Sequence, residues 1–244
     1  YVFFLTNKGP NWLDGTRTGD TSLAKLTVPN FGWGLPIRKG VTALVRMLPP
    51  PLEQPDSDMT IELDATKGIR GPVPAKLELI MRGDDALGTN QVLASFAGNT
   101  RDEALRKFWR GRFDFIDPKT YDIAFDPDKV ELHMTMQGTA TMDWKDGWYE
   151  TDETGVGYRP DFSRAAGPGH DAPFAVNYPY FSHTRETVLL PPGFTGKVTS
   201  DGTEVDETIA GVEYHRHVSL TGNRFVIERT SRSLVPEIAY KDAI

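Results

Sequence analysis

The chain has 244 residues, enough for one large domain or two small ones, and its 39% hydrophobic and 25% charged content marks a folded chain rather than a disordered one. Asp and Glu outnumber Lys and Arg by 34 to 27, giving a net charge of −7, and no Lys/Arg run exceeds two residues, which argues against a nucleic-acid-binding face built on phosphate neutralisation. Cys is absent, which excludes disulfides, thiolate metal sites and a cysteine nucleophile within these residues, and no apolar stretch approaches the roughly 20 residues that a membrane-spanning helix needs.

In chain order, the apolar run Tyr1 to Leu5, the turn chemistry of Asn7-Lys8-Gly9-Pro10 and the apolar pair Trp12-Leu13 predict a hairpin over residues 1–14. Neither an initiator Met nor a signal peptide opens the sequence. The expectation is therefore of a fragment whose first hairpin belongs to a unit that starts upstream, covered by that upstream portion or by another subunit. Residues 15–55 are rich in Gly and Pro, as in Phe31-Gly32-Trp33-Gly34-Leu35-Pro36 and Leu48-Pro49-Pro50-Pro51, and suit an extended connection. The triple proline is taken as a boundary, with one unit at 1–50 and a second at 51–244.

Beyond it, period-2 patterning predicts strands around Met59, Ile61 and Leu63 and around Leu77, Leu79 and Met81. Thr100-Arg101-Asp102-Glu103 has capping-box spacing, and Ala104, Leu105, Phe108 and Trp109 share a helical face, which predicts one helix at about 100–110 ending at Gly111. Tyr121, Ile123 and Phe125, the turn Asp126-Pro127-Asp128-Lys129, and Val130, Leu132, Met134 and Met136 predict a hairpin. Further strands are predicted at Thr139 to Trp144, Trp148 to Thr151, Thr187 to Leu190, Val212 to Leu220 and Arg224 to Thr230. The class is mostly β: an antiparallel β-sandwich-like module with one short α-helix.

Among candidate chemical groups, His215 and His217 stand two apart on a strand and so share a face, as a metal site requires. Val212, Tyr214, Val218 and Leu220 are the apolar set of that strand, so Glu213, His215, His217 and Ser219 read as its solvent side, and no metal site is assigned. His133, between Leu132 and Met134, is likewise outward. The acidic stretch from Asp143 to Glu153 offers oxygen ligands for calcium but lacks EF-hand spacing, and a solvated hairpin explains it better. Trp144, Trp148 and Tyr149 are candidates for stacking on a sugar ring or peptide, or for packing inward. The aromatic segment Ala172 to Phe181 reads as a groove or a covered edge. No cofactor is indicated.

Asn11-Trp12-Leu13-Asp14-Gly15-Thr16-Arg17 carries a resemblance. A strand running into Trp-Leu-Asp-Gly-Thr resembles the end of the transglutaminase-like cysteine-peptidase fold, whose Cys-His-Asp triad closes with an Asp in a Trp-x-Asp-Pro-Thr-like sequence. Gly15 stands where many members have Pro. The strings Thr18-Gly19-Asp20-Thr21-Ser22, Trp33-Gly34-Leu35-Pro36, Phe108-Trp109-Arg110-Gly111-Arg112, Ala172-Pro173-Phe174, Thr184 to Pro191 and Arg229 to Pro236 extend it over nearly the whole chain. They look like the C-terminal region of large bacterial proteins in which a β domain of unknown function precedes a transglutaminase-like domain and a β-rich module follows.

The resemblance implies that residues 1–50 end a transglutaminase-like domain, that Asp14 is the orienting acid of the triad, and that the Cys and His lie upstream. In that arrangement the thiolate attacks an amide or ester carbonyl, the His shuttles the proton and the Asp fixes the imidazole. His133, His170, His183, His215 and His217 all follow Asp14, whereas the family's His precedes it. The resemblance further implies export to the bacterial periplasm, and a non-catalytic role in supporting or presenting substrate to the upstream domain. Two other readings stand beside it. One is a binding module for a glycan or peptide; the other, an independent hydrolase, lacks a Gly-x-Ser-x-Gly string.

Overall fold

A computed structural model describes residues 2–6, 9–13, 28–29, 31–37, 39–142, 144–149, 162–198 and 204–243. Strands account for 46% of the chain and helices for 15%, so the mostly-β class holds, consistent with a β-sandwich-like architecture built on one large mixed sheet.

Two small ribbons come first. β1 (Val2–Thr6) pairs antiparallel with β2 (Gly9–Leu13), the hairpin expected from the Asn-Lys-Gly-Pro turn chemistry. β3 (Gly32–Gly34) pairs with β4 (Val45–Met47). Trp12 is buried, and a Cβ added at Gly34 would stand 2.8 Å from Trp12 Cη2, so the missing side chain at 34 is what lets the indole lie on the second ribbon beside Met47. The 15–55 segment is thus not wholly an extended connection.

The sheet itself has eight strands. β5 (Ser57–Asp64), β6 (Pro72–Arg82), β7 (Ile116–Asp126) and β8 (Glu131–Thr141) form one half. β12 (Phe181–Leu189), β13 (Val205–Ile209), β14 (Val212–Thr221) and β15 (Arg224–Ser233) form the other. The order is β13-β14-β15-β12-β5-β6-β8-β7. Every neighbouring pair is antiparallel except β12 with β5, which run parallel and join the halves, so the sheet is mixed rather than purely antiparallel. Two-residue strands β9 (Trp144–Lys145) and β10 (Trp148–Tyr149) make a hairpin, and β11 (Phe174–Ala175) pairs with β16 (Glu237–Ile238).

The alternation predicted for the first half is what buries it. Met59, Ile61 and Leu63 lie beside Leu79, Leu77 and Ala75, and these beside Met134 and Met136, all on one face and almost wholly buried. The turn into β8 is held by Asp126, whose Oδ1 accepts the N–H groups of Asp128 and Lys129 at 2.9 and 3.0 Å. Where β7 bulges between Pro118 and Thr120, the Asp117 carbonyl oxygen approaches to 2.4 Å of where a Cβ at Gly138 would be, so that position admits glycine alone.

Two helices, not one, cover this face. α2 (Asn99–Arg112) is the expected helix, with Leu105 and Trp109 buried; α1 (Gly83–Ala94) was not foreseen. α1 contains Gly88, Thr89 and Asn90, which are poor helix formers, and buries only Ala86 and Leu93. Packing against β6 and β8 sustains it rather than its own propensity. The capping box is also corrected. Gly98, at φ +53°, is the N-cap of α2, no side chain caps it, and Thr100 already lies inside the helix.

Candidate functional site

Asp14 lies outside the described residues, as do Asp143, Glu150, Thr151, Asp152 and Glu153 of the acidic stretch. The strand that leads to Asp14 is β2, and its Trp12 is fixed against the β3–β4 ribbon.

The aromatic trio divides. Trp144 and Tyr149 face each other across the β9–β10 hairpin with ring centroids 5.3 Å apart and nearly parallel planes, and Phe194 meets Trp144 edge-on at 6.2 Å. Both rings pack on the core, whereas Trp148 is 63% exposed at the hairpin. Strand alternation accounts for the split, because adjacent positions point to opposite faces. In the segment 172–181, Tyr178 is buried and Phe174, Val176 and Phe181 are half-buried, while Ala172, Pro173, Ala175 and Asn177 are exposed. Phe174, on β11, stacks on Tyr240 at 6.0 Å, meets Phe162 at 5.0 Å, and carries the Arg164 guanidinium 4.1 Å above its ring. Arg164 also donates to the Ala172 carbonyl at 2.7 Å.

The most polar feature is a charge ladder across the outer face of the sheet, opposite the helices. Asp58 on β5, His183 on β12 and Thr230 on β15 are neighbours in register. His183 Nδ1 lies 2.7 Å from Asp58 Oδ1 and its Nε2 lies 3.1 Å from Glu228 Oε1. Arg185 donates to the other Glu228 oxygen at 3.3 Å. On the far side, Arg82 reaches Asp58 at 3.9 Å, donates to Glu131 at 2.8 Å and to the Pro55 carbonyl at 2.7 Å, while His133 Nε2 stands 3.3 Å from Glu131. Burial works against ionisation of Glu131, but the bonds from Arg82 and His133 outweigh it and hold the carboxyl below its ordinary range. At the head of β5 the balance is reversed: burial pushes the Asp56 carboxyl up, although its Oδ1 accepts the Phe181 N–H at 3.2 Å.

The inner face of the second half is mixed where the first half is apolar: Val188, Leu220, Phe225 and Ile227 share it with charged side chains. Glu186 and Arg229 are 2% and 4% exposed, and Tyr149 donates its hydroxyl to Glu186 at 3.3 Å. Arg216 faces Arg229 in register. Sequence reasoning did not pick out Asp58, His183, Glu186, Glu228 or Arg229. The signal lies in strand register, since His183 is 125 positions from Asp58 and 45 from Glu228.

His215 and His217 do lie on the exposed side of β14, with Glu213 and Ser219 on the same face. His215 Nδ1 stands 2.9 Å from Asp206 and His217 Nδ1 2.7 Å from Glu204. Among the described residues no group of three or more His, Asp or Glu is placed to hold a metal ion, and no helix is long and apolar enough to cross a membrane.

Chemically, the His183 cluster is a clasp rather than a proton shuttle. With a carboxylate on each ring nitrogen, the imidazole has no nitrogen left to deprotonate a hydroxyl. Comparison of the chain with models of known protein families, with curated proteins and with solved structures finds no match.

Proposed function

We propose that this chain is the non-catalytic C-terminal portion of a transglutaminase-like protein of the Cys-His-Asp type, exported to the bacterial periplasm, where it supports an upstream catalytic domain and presents substrate to it. The observation that carries this reading is the run of β2 into Trp12-Leu13-Asp14-Gly15-Thr16, with Trp12 buried on the ribbon that holds Trp33-Gly34-Leu35-Pro36. Two of the strings that carry the resemblance are thereby knit into one packed unit. The His183 clasp agrees with a supporting role, since it joins three strands and offers no base. Asp14 would accept the Nδ1–H of an upstream His and so leave its other nitrogen free to take the proton from the Cys.

The test is turnover. The 244-residue chain alone should hydrolyse or transfer no amide, ester or thioester, and in the full-length protein Asp14→Asn should stay folded while losing on the order of a thousandfold or more in turnover. Turnover by the chain alone that a substitution within it abolishes, or a full-length Asp14→Asn protein with intact activity, would overturn the proposal.

A second reading, a module that holds a glycan or peptide, rests on exposed apolar side chains. Trp148 is one; Phe31, Trp33, Leu35 and Ile37 alternate along and beyond β3, with the Arg46 guanidinium 4.9 Å from the Trp33 ring. Retention of the chain on immobilised glycans, lost in Trp148→Ala, would favour this reading over the first.

A further inference from the structure

We propose that His215 and His217 form a surface chelate for a borderline divalent transition-metal ion, copper(II), nickel(II) or zinc(II), through their two Nε2 atoms, with Asp206 and Glu204 orienting the rings. The spacing of the two histidines alone does not carry this. What the structure adds is how each ring is held.

His215 and His217 are alternate residues of β14, so they project from one face about 6.6 Å apart along the strand, a separation that two imidazole side chains can close around one ion. Their cross-strand neighbours repeat the same spacing. Asp206 is the register partner of His215, and Glu204, two residues before it, reaches His217. In both rings the nitrogen facing the carboxylate is Nδ1, at 2.9 and 2.7 Å. An anionic oxygen at that distance favours the proton on Nδ1, which in the neutral ring leaves the lone pair on Nε2, the atom a metal takes. Carboxylate behind imidazole is the arrangement that fixes tautomer and ring orientation in metal sites and raises the basicity of the ligand.

His183 and His133 show the contrast. His183 has carboxylates on both nitrogens and no lone pair to give, and His133 is flanked at alternate positions by Glu131 and Thr135, not by a second imidazole. At β14 the field favours a dication. Asp206 and Glu204 stand beside the pair, while Arg232 and Arg185 are engaged by Glu213 and Glu228. Imidazole donors suit copper, nickel and zinc rather than calcium or magnesium, and two protein ligands leave the remaining positions to water or to a ligand brought by another molecule.

Titration calorimetry of the tag-free 244-residue chain with copper(II), nickel(II) and zinc(II) salts tests this. One ion should bind per chain, copper tightest, and His215→Ala and His217→Ala should each weaken binding by more than about tenfold. Both positions are more than half exposed, so these variants should fold, which circular dichroism checks. The paired change Asp206→Asn with Glu204→Gln retains both imidazoles and should still weaken binding by about 10- to 100-fold, which a bare pair of histidines would not show. Affinity weaker than about millimolar, or binding that survives both histidine substitutions, would overturn the chelate; affinity unchanged in the carboxylate variant would overturn the orienting role.

Discussion

The two halves of the eight-stranded sheet fill their inner faces differently. In β5–β6–β8–β7 the inner face is an unbroken apolar surface: Ile61, Leu77, Leu79, Leu132, Met134 and Met136 under Ala86, Leu93, Leu105 and Trp109 of the helices. In β12–β15–β14–β13 the equivalent face sets Glu186, Arg229 and Arg216 among Val188, Leu220, Phe225 and Ile227, and the outer face holds His183, His215 and His217. The difference separates stability from specification. Burying aliphatic surface contributes free energy in proportion to area and tolerates variation, whereas a buried charge costs several kcal/mol unless it is met by definite partners, and so enforces one arrangement.

The sharpest way to break the contrast is at Trp109. It is fully buried, with Phe108 edge-on at 5.4 Å and Phe113 stacked at 6.4 Å, so Trp109→Ala should cost about 3–5 kcal/mol in urea unfolding monitored by far-UV circular dichroism. A loss below about 1 kcal/mol would mean that α2 does not anchor the first half.

The second half comes next. Glu186→Ala should cost about 2–4 kcal/mol, because it takes the acceptor from the Tyr149 hydroxyl and empties a position only 2% exposed, whereas Tyr149→Phe, which removes one donor to Glu186, should cost about 0.5–1.5 kcal/mol. Equal costs for the two would mean that the Tyr149 hydroxyl accounts for all that Glu186 contributes.

Expected to be smaller is a pH effect on the ladder. Because the folded-state carboxyl of Glu131 lies below its ordinary range, its contribution is present above about pH 4.5 and is lost as pH falls through the depressed range. Glu131→Gln should therefore lower stability in the neutral region and leave the most acidic values nearly unchanged, which flattens the acid limb, as urea midpoints measured from pH 3 to 7 would show. Smallest of all is Trp148→Ala, which should alter stability by no more than about 0.5 kcal/mol, since the ring is largely in solvent. A loss above 1 kcal/mol would place Trp148 in the core with Trp144 and Tyr149.

The same division governs what could be read from the residues alone. Wherever one face of a strand is apolar, as at Leu77-Glu78-Leu79 or Val130 to Met136, alternation marked the strand. β12 was recognised only from Thr187 onward, because Ser182 to Glu186 place polar side chains on both faces. α1 carries Gly88, Thr89 and Asn90 and gives no helical signal of its own. Trp109 was legible as a core residue from its helical face. The His183 clasp was not, because it exists only once β5, β12 and β15 are in register. His215 and His217 were visible as a pair, but Asp206 and Glu204 behind them were not, since a hairpin partner that alternates only weakly does not announce its register.

The parallel seam between β5 and β12 bears on how the molecule comes to be folded. Residues 57–141 supply one half and residues 181–233 the other, and within each half successive strands mostly meet through short connections. Each half can therefore assemble from local contacts, while the seam must close across 125 positions, the separation of His183 and Asp58. Contact separation therefore predicts that docking of the two halves is the slow event, with the seam the last interface to form. Conservative changes along it should accordingly speed unfolding while leaving the rate of folding of each half nearly untouched.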